Sequence, residues 1–310
     1  MSTILITGGT GLLGSALTNL LITNGHQVIV LSRRQKKSDN ANITYATWDV
    51  KNQMIDAKAV GSADYIIHLT GAGVADKRWT DARKKEIVES RTQSSALLAK
   101  ALREISNHVK ALISASAIGY YGDDEKRTPK KPAFTEEMAA DKAFLGETCR
   151  LWEESINPVQ QAGTRLVKIR IGIVLSNEGG ALPEFKKPVR FGIAGVLGSG
   201  KQMVSWIHIE DVCRMFLFAI ENESLQGVYN AVAPTPVRNK DLTILLAQKM
   251  KGSFFVHLHV PRFALKAMLG EMSVEVLKSA TVSCEKIRKE GFSFKYPSIE
   301  TALENLVNGK

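Results

Sequence analysis

Cysteine is scarce in this chain. Cys149, Cys213 and Cys284 are far apart and odd in number, which excludes a disulfide framework and offers no zinc-ligand spacing. They point instead to a reducing, cytoplasmic setting. Histidine is equally thin, and the one close pair, His257-x-His259, is too little for a metal centre, so no metal is expected. No apolar run is long enough to cross a bilayer, and Met1 leads straight into a strand-like segment. Neither a membrane span nor a secretory leader is therefore expected. Acidic residues are outnumbered, 31 against 41 Lys and Arg, for a formal charge of +10. The lysine pairs Lys36–Lys37, Lys130–Lys131 and Lys186–Lys187 are dispersed and lack interleaved aromatics. The excess reads as solvated surface, with no nucleic-acid or membrane partner expected and a field that favours an anionic cofactor.

What is present begins at once. The apolar run Ile4–Ile6 is followed by Thr7-Gly8-Gly9-Thr10-Gly11-Leu12-Leu13-Gly14 and then by a helix-like stretch from Ser15 to Asn24. Strand, glycine loop and helix in this order form the setting of a dinucleotide site. Gly8 allows a sharp turn off the strand, Gly11 removes a side chain where a pyrophosphate must approach, and Gly14 lets the helix pack close to the sheet. The helix N-terminus offers free N–H groups to the phosphates. Thr7, Gly8, Thr10, Gly11, Leu12, Leu13 and Gly14 are thus candidate cofactor contacts.

Apolar strands continue at Gln27–Leu31, Thr44–Thr47, Tyr65–Leu69, Ala111–Ser114, Leu166–Val174 and Val228–Ala231, with long amphipathic helices over about 81–105 and 141–162. Thr80 suits the N-cap of the first. The alternation predicts an α/β fold, a Rossmann-like, doubly wound parallel sheet with ligands at the strand C-termini.

The glycine spacing, together with Ala75-Asp76-Lys77-Arg78-Trp79-Thr80, Glu89-Ser90-Arg91, Ser114 to Gly122, Ser205 to Asp211 and Gly291-Phe292-Ser293-Phe294, resembles the short-chain dehydrogenase/reductase superfamily. The match is to the "epimerase family" proteins of its atypical branch and covers essentially the whole chain. The resemblance implies a nucleotide domain over 1–175 and 206–232, with a smaller C-terminal substrate lobe from 176–205 and 233–310.

For the cofactor, the end of the second strand reads Ser32-Arg33-Arg34, and Val28 to Ser38 contains no acid that could hold a ribose diol. A guanidinium suits a 2′-phosphate, so the residues point to NADP(H). Asp49 is placed as an adenine-contacting Asp is in this superfamily, or is an ordinary loop residue. Leu69-Thr70-Gly71-Ala72 ends the fourth strand, where Gly71 serves close cofactor approach or simply terminates the strand.

The chemistry is less defined. The superfamily's Tyr-x-x-x-Lys pair, in which the lysine charge readies the phenol for proton transfer, is absent after every tyrosine. Ser116 matches the superfamily serine in position. It could share a substrate oxygen with Tyr121 while Lys142 supplies positive charge, or both hydroxyls could merely shape the pocket. Arg91 orients an anionic substrate or anchors its helix to a neighbouring acid. Trp152 and Glu153 read as helix packing and surface. Two functions remain open on these residues: an NADP(H)-dependent oxidoreductase or epimerase-like enzyme on a small polar substrate, or a non-catalytic NADP(H)-responsive binding or regulatory protein.

Overall fold

The computed structural model describes residues 1–127 and 132–309, so the Lys130–Lys131 pair lies outside the described residues. The first half alternates strand and helix: β1 (Thr3–Thr7), α1 (Leu12–Thr23), β2 (Gln27–Ser32), β3 (Ile43–Asp49), β4 (Met54–Ile55), α2 (Ala57–Gly61), β5 (Tyr65–His68), α3 (Asp81–Glu104), β6 (Ala111–Ala117), α4 (Phe144–Ile156) and β7 (Arg165–Ile171). Thr80 does cap α3, its hydroxyl accepting from Arg83 N–H at 3.2 Å. The helix expected to run to 162 stops at Ile156 and continues as a 3₁₀ turn around Pro158, which cannot donate to the preceding turn.

The second half contains β8 (Ile173–Leu175), α5 (Ala181–Arg190), β9 (Ile193–Leu197), β10 (Met203–Val204), β11 (Trp206–His208), α6 (Ile209–Glu221), β12 (Gly227–Ala231), β13 (Val237–Arg238), α7 (Asn239–Lys251), β14 (Val256–Val260), α8 (Arg262–Leu269), α9 (Ser273–Leu277), α10 (Glu285–Lys289) and α11 (Ile299–Asn308). The central sheet has the order β12-β7-β6-β5-β1-β2-β3-β4. It is parallel except at β4. The chain runs outward from β1 to β3 and returns through β5, so the strand order reverses beside β1. A crevice at the strand C-termini belongs there.

Burial explains the strand sequences. Ile4 and Ile6 pack with Leu17, Leu21 and Phe216 on one face of the sheet. Leu5 packs with Val60, Leu97 and Leu98 on the other. A strand covered on both faces reads as a continuous apolar run. A separate cluster, including Leu182, Trp206, Leu242 and Leu303, joins α5, α7 and α11 into the smaller lobe.

Two expectations change. The strand read as Leu166–Val174 breaks at Gly172, where a Cβ would lie 2.7 Å from the Ser205 carbonyl oxygen and 2.8 Å from Val232 Cγ1. There the chain leaves the central sheet, and β8 pairs with β11 instead. Residues after 233 also do not all sit in the small lobe, because Ala280, Val282, Ile287 and Phe292 pack into the core of the central sheet.

Asp211 ties the end of the chain to α6. It is fully buried and accepts from the backbone N–H groups of Lys295 (2.8 Å) and Tyr296 (2.9 Å) and from Arg214 Nη1 (2.9 Å). Asp211→Ala strands those donors and should cost about 2–4 kcal/mol in urea denaturation. A loss within ordinary surface-mutation range would contradict this anchoring role.

Candidate functional site

The glycine loop is shaped by close approaches. Gly8 has φ of +71°, and a Cβ there would lie 3.0 Å from the Leu69 carbonyl carbon. At Gly14 a Cβ would overlap the Gly8 carbonyl oxygen. Gly14 therefore seats α1 on its own loop rather than against the sheet, correcting the role assigned from the spacing. The close approach to the sheet falls to Gly9, where a Cβ would stand 2.8 Å from Val30 Cγ1 on β2. No side chain caps α1 at Gly11, so the first N–H groups of the helix stay free for a ligand.

A cleft of about 1070 Å³ opens at the strand C-termini, lined by Gly8, Thr10 and Gly11 from the loop, Ser32, Arg33, Arg34 and Lys36 from the end of β2, and Leu69 to Ala72 from the end of β5. Thr7, Leu12, Leu13 and Gly14 stand behind this wall. The Thr7 hydroxyl accepts from Leu69 N–H (3.1 Å) and meets His68 Nδ1 (2.7 Å), locking β1 to β5. Leu12 reaches towards Gly179 and Gly180, and Leu13 packs on the core.

At the β2 end, Ser32 closes a turn, its hydroxyl donating to the Arg34 carbonyl at 2.7 Å. Arg33 and Arg34 are exposed. Lys36, expected as solvated charge, joins them in the cleft, its Nζ 5.8 Å from the Tyr45 ring centre. Trp48 and Val50 line the cleft, whereas the Asp49 carboxylate accepts from Asn52 N–H (3.1 Å) and Nδ2 (2.7 Å). Those hydrogen bonds hold its pKa below the usual carboxylate range.

Along the opposite wall, α3 clamps the segment after β5. Ser90 Oγ accepts from Ala72 N–H (2.9 Å), and Arg91 Nη1 donates to the carbonyls of Ala72 (3.0 Å) and Ile87 (2.9 Å). Gly71 leaves room for this clamp, since a Cβ there would lie 2.9 Å from the Arg91 guanidinium carbon. Arg91 thus anchors through backbone carbonyls and not through the acid expected of it, and its guanidinium lies 4.9 Å from the Trp152 ring centre. Thr70 Oγ1 is buried on this wall with no partner among the described residues.

Ser116, Tyr121 and Lys142 are not brought together as a substrate-facing set. The Ser116 hydroxyl is buried and donates to Glu153 Oε1 (2.7 Å). The Tyr121 hydroxyl, fully buried, donates to Asn230 Oδ1 (2.8 Å) and accepts from Arg170 Nη1 (2.9 Å). Arg170 in turn grips both oxygens of Glu153, through Nε (2.7 Å) and Nη2 (2.9 Å). Burial outweighs the Arg170 charge and pushes the Tyr121 phenol up to about 12, far from a proton donor or acceptor near neutrality. Lys142 is exposed and makes no ion pair among the described residues. Glu153, read as surface, is the buried partner of this network. The available signal was Arg170, a charge set between Ile169 and Ile171 on a mostly apolar strand, and it is the one of the strand's three basic residues that is buried.

A family model described as the NAD-dependent epimerase/dehydratase family matches residues 4–231. This chain belongs to that family. A second model, described as a domain of unknown function, matches residues 260–306. An epimerase family protein of Staphylococcus saprophyticus is 38% identical over 98% of this chain and 99% of its own. The crystal structure of a human epimerase family protein with NADPH superposes with a TM-score of 0.87 at 27% identity, covering 99% of this chain and all of that one. A nucleoside-diphosphate sugar epimerase from Corynebacterium glutamicum gives 0.77 at 33% identity, over 99% of this chain and 58% of that one.

The cleft suits the dinucleotide that this epimerase-family fold binds. The uncapped helix start, the room left by Gly11 and the Thr70 hydroxyl, unpartnered among the described residues, fit an oxygen-rich ligand. His68, behind the wall, is fully buried between Thr7 and Ser95. Burial, with a smaller effect of Arg91, lowers its pKa to about 3.

The folded state therefore refuses a proton that the unfolded chain accepts near pH 6.5. The His68 contribution to stability should be whole above that pH and fall progressively as pH drops towards about 3. Denaturant titrations across that window, with proton uptake on unfolding, test this, and a flat profile would refute it. Tyr121→Phe should cost about 1–2 kcal/mol of stability while leaving cofactor affinity unchanged. A catalytic phenol would instead show intact stability and lost turnover.

Proposed function

We propose that this chain binds NADP(H) in the cleft beside β1 and uses it on a small polar substrate, as an oxidoreductase or epimerase-like enzyme. One observation carries the cofactor choice. Arg33, Arg34 and Lys36 gather at the β2 end, where a carboxylate would favour NAD, and Asp49 is held in a turn by Asn52. The human relative crystallised with NADPH supports the same reading.

In this reading the free backbone N–H groups of Leu12, Leu13 and Gly14 at the start of α1 hold the pyrophosphate over Gly11, with Gly8 and Thr10 beside it. Ser32 positions Arg34, which with Arg33 and Lys36 takes the 2′-phosphate. Trp48 and Val50 face the adenine, and Leu69 to Ala72 run along the ribose and diphosphate, fixed by Ser90 and Arg91. The bound nicotinamide supplies hydride chemistry. The protein's part is to orient it; with the Tyr121 phenol engaged by Arg170 and Asn230, proton delivery falls to the substrate or to solvent.

The engagement of Ser116 and Tyr121 by the Arg170–Glu153 pair also favours a second reading, a cofactor-responsive binding or regulatory protein without turnover. NADPH consumption against a panel of carbonyl compounds and nucleotide sugars separates the two. Saturable turnover supports the enzyme, and binding without turnover across the panel supports the alternative.

Loss of one charge-assisted phosphate contact costs about 1.5–3 kcal/mol. Arg33→Ala should weaken NADPH binding about tenfold or more, measured by calorimetry, and leave NADH binding nearly unchanged. Equal losses for both cofactors would remove the 2′-phosphate assignment.

A further inference from the structure

The smaller lobe concentrates features that are scattered along the sequence. Phe191, at the C-terminus of α5, is 85% exposed, and Phe254, just after α7, is 87% exposed. They are neighbours in space. Val256 N–H donates to the Gly192 carbonyl at 2.9 Å, and β14 pairs with β9 from Val256 opposite Ile193. Val256 and Leu258, alternate residues on one face of β14, extend the exposed apolar surface. Side chains this exposed project outward and do not line a groove.

The chain segments that carry them hold charge of one sign. From Phe185 to Ile209 and from Leu242 to Gly270 there is no Asp or Glu, against Lys186, Lys187, Arg190, Lys201, Lys249, Lys251, Arg262 and Lys266. Lys187 and Lys249 are paired with Glu184 and Glu304. Arg190 and Lys251, one residue before Phe191 and three before Phe254, have no ion-pair partner among the described residues. Two copies of this surface would bring like charges together, so self-association through it is disfavoured.

We propose that the β9–β14 end of the smaller lobe docks on an anionic lipid surface, with Phe191 and Phe254 entering the interface and Arg190 and Lys251 at the headgroups. Projecting aromatic side chains flanked by unpaired basic residues suit that surface.

The test is flotation of the full chain with vesicles of phosphatidylcholine alone or with roughly a third phosphatidylglycerol. The protein should float with the anionic vesicles, not with the neutral ones, and be released by high salt. Arg190→Glu with Lys251→Glu should lower partitioning about 25-fold or more, at about fivefold per charge. Phe191→Ser with Phe254→Ser should lower it about tenfold or more. Retained NADPH affinity in both variants verifies their folding, and light scattering of the wild type records its oligomeric state. No flotation with anionic vesicles, variants that float like the wild type, or a wild-type dimer that the serine variant dissolves would each overturn the proposal, the last by giving the surface to a second copy.

Discussion

A buried ion pair governs how this sheet ends. Arg170 and Glu153 are both nearly inaccessible, and two charges withdrawn from water are tolerated only when their hydrogen-bonding capacity is filled. Two contacts bind guanidinium to carboxylate, the Tyr121 hydroxyl and the Glu136 carbonyl accept from Nη1, and Ser116 donates to Glu153. The Tyr120 ring closes one side, 3.4 Å from the guanidinium carbon. Because these partners come from β6, β7, α4 and the segment before α4, the pair fixes the C-terminal ends of two strands. Asn230, bonded to Tyr121, carries the constraint to β12.

That rigidity contrasts with the other side of the cleft. There the segment after β5 is held by side chains on its backbone, Ser90 and Arg91 at its base. Further along, Arg78 donates to the carbonyls of Ala267 and Met268, and Trp79 packs edge-on to Phe144 at 4.9 Å. One short segment therefore touches the cleft, the start of α4 and α8.

The parts of the fold that were legible in the sequence follow from local rules. Strands buried on both faces leave apolar runs, and a loop that must turn sharply and pass its own helix leaves glycines, so β1, the glycine loop and α1 announce themselves. The absence of an acid near Arg33 was equally readable, since it concerns adjacent positions. What stayed hidden depends on partners distant in sequence. Ser116 looked like a substrate contact because nothing near it reveals Glu153, and Tyr121 because nothing near it reveals Asn230. Gly172 gave no sign that the strand would change sheets, because the crowding comes from Ser205 and Val232. Lys36 lay in a basic run whose geometry only the turn at Ser32 determines.

The late arrival of core residues bears on how the protein is made. β12 closes one edge of the central sheet only after the chain has passed through the excursion that holds α5 and β9, and Ala280, Val282, Ile287 and Phe292 seal its core later still. A nascent chain that has left the ribosome as far as β7 thus has the glycine loop and the basic cluster yet keeps an open sheet edge and an uncovered apolar face. Such a half-finished sheet invites edge-to-edge pairing. The tail of this protein is consequently the closing piece of its own nucleotide-binding half, so the two ends of the sequence share one core.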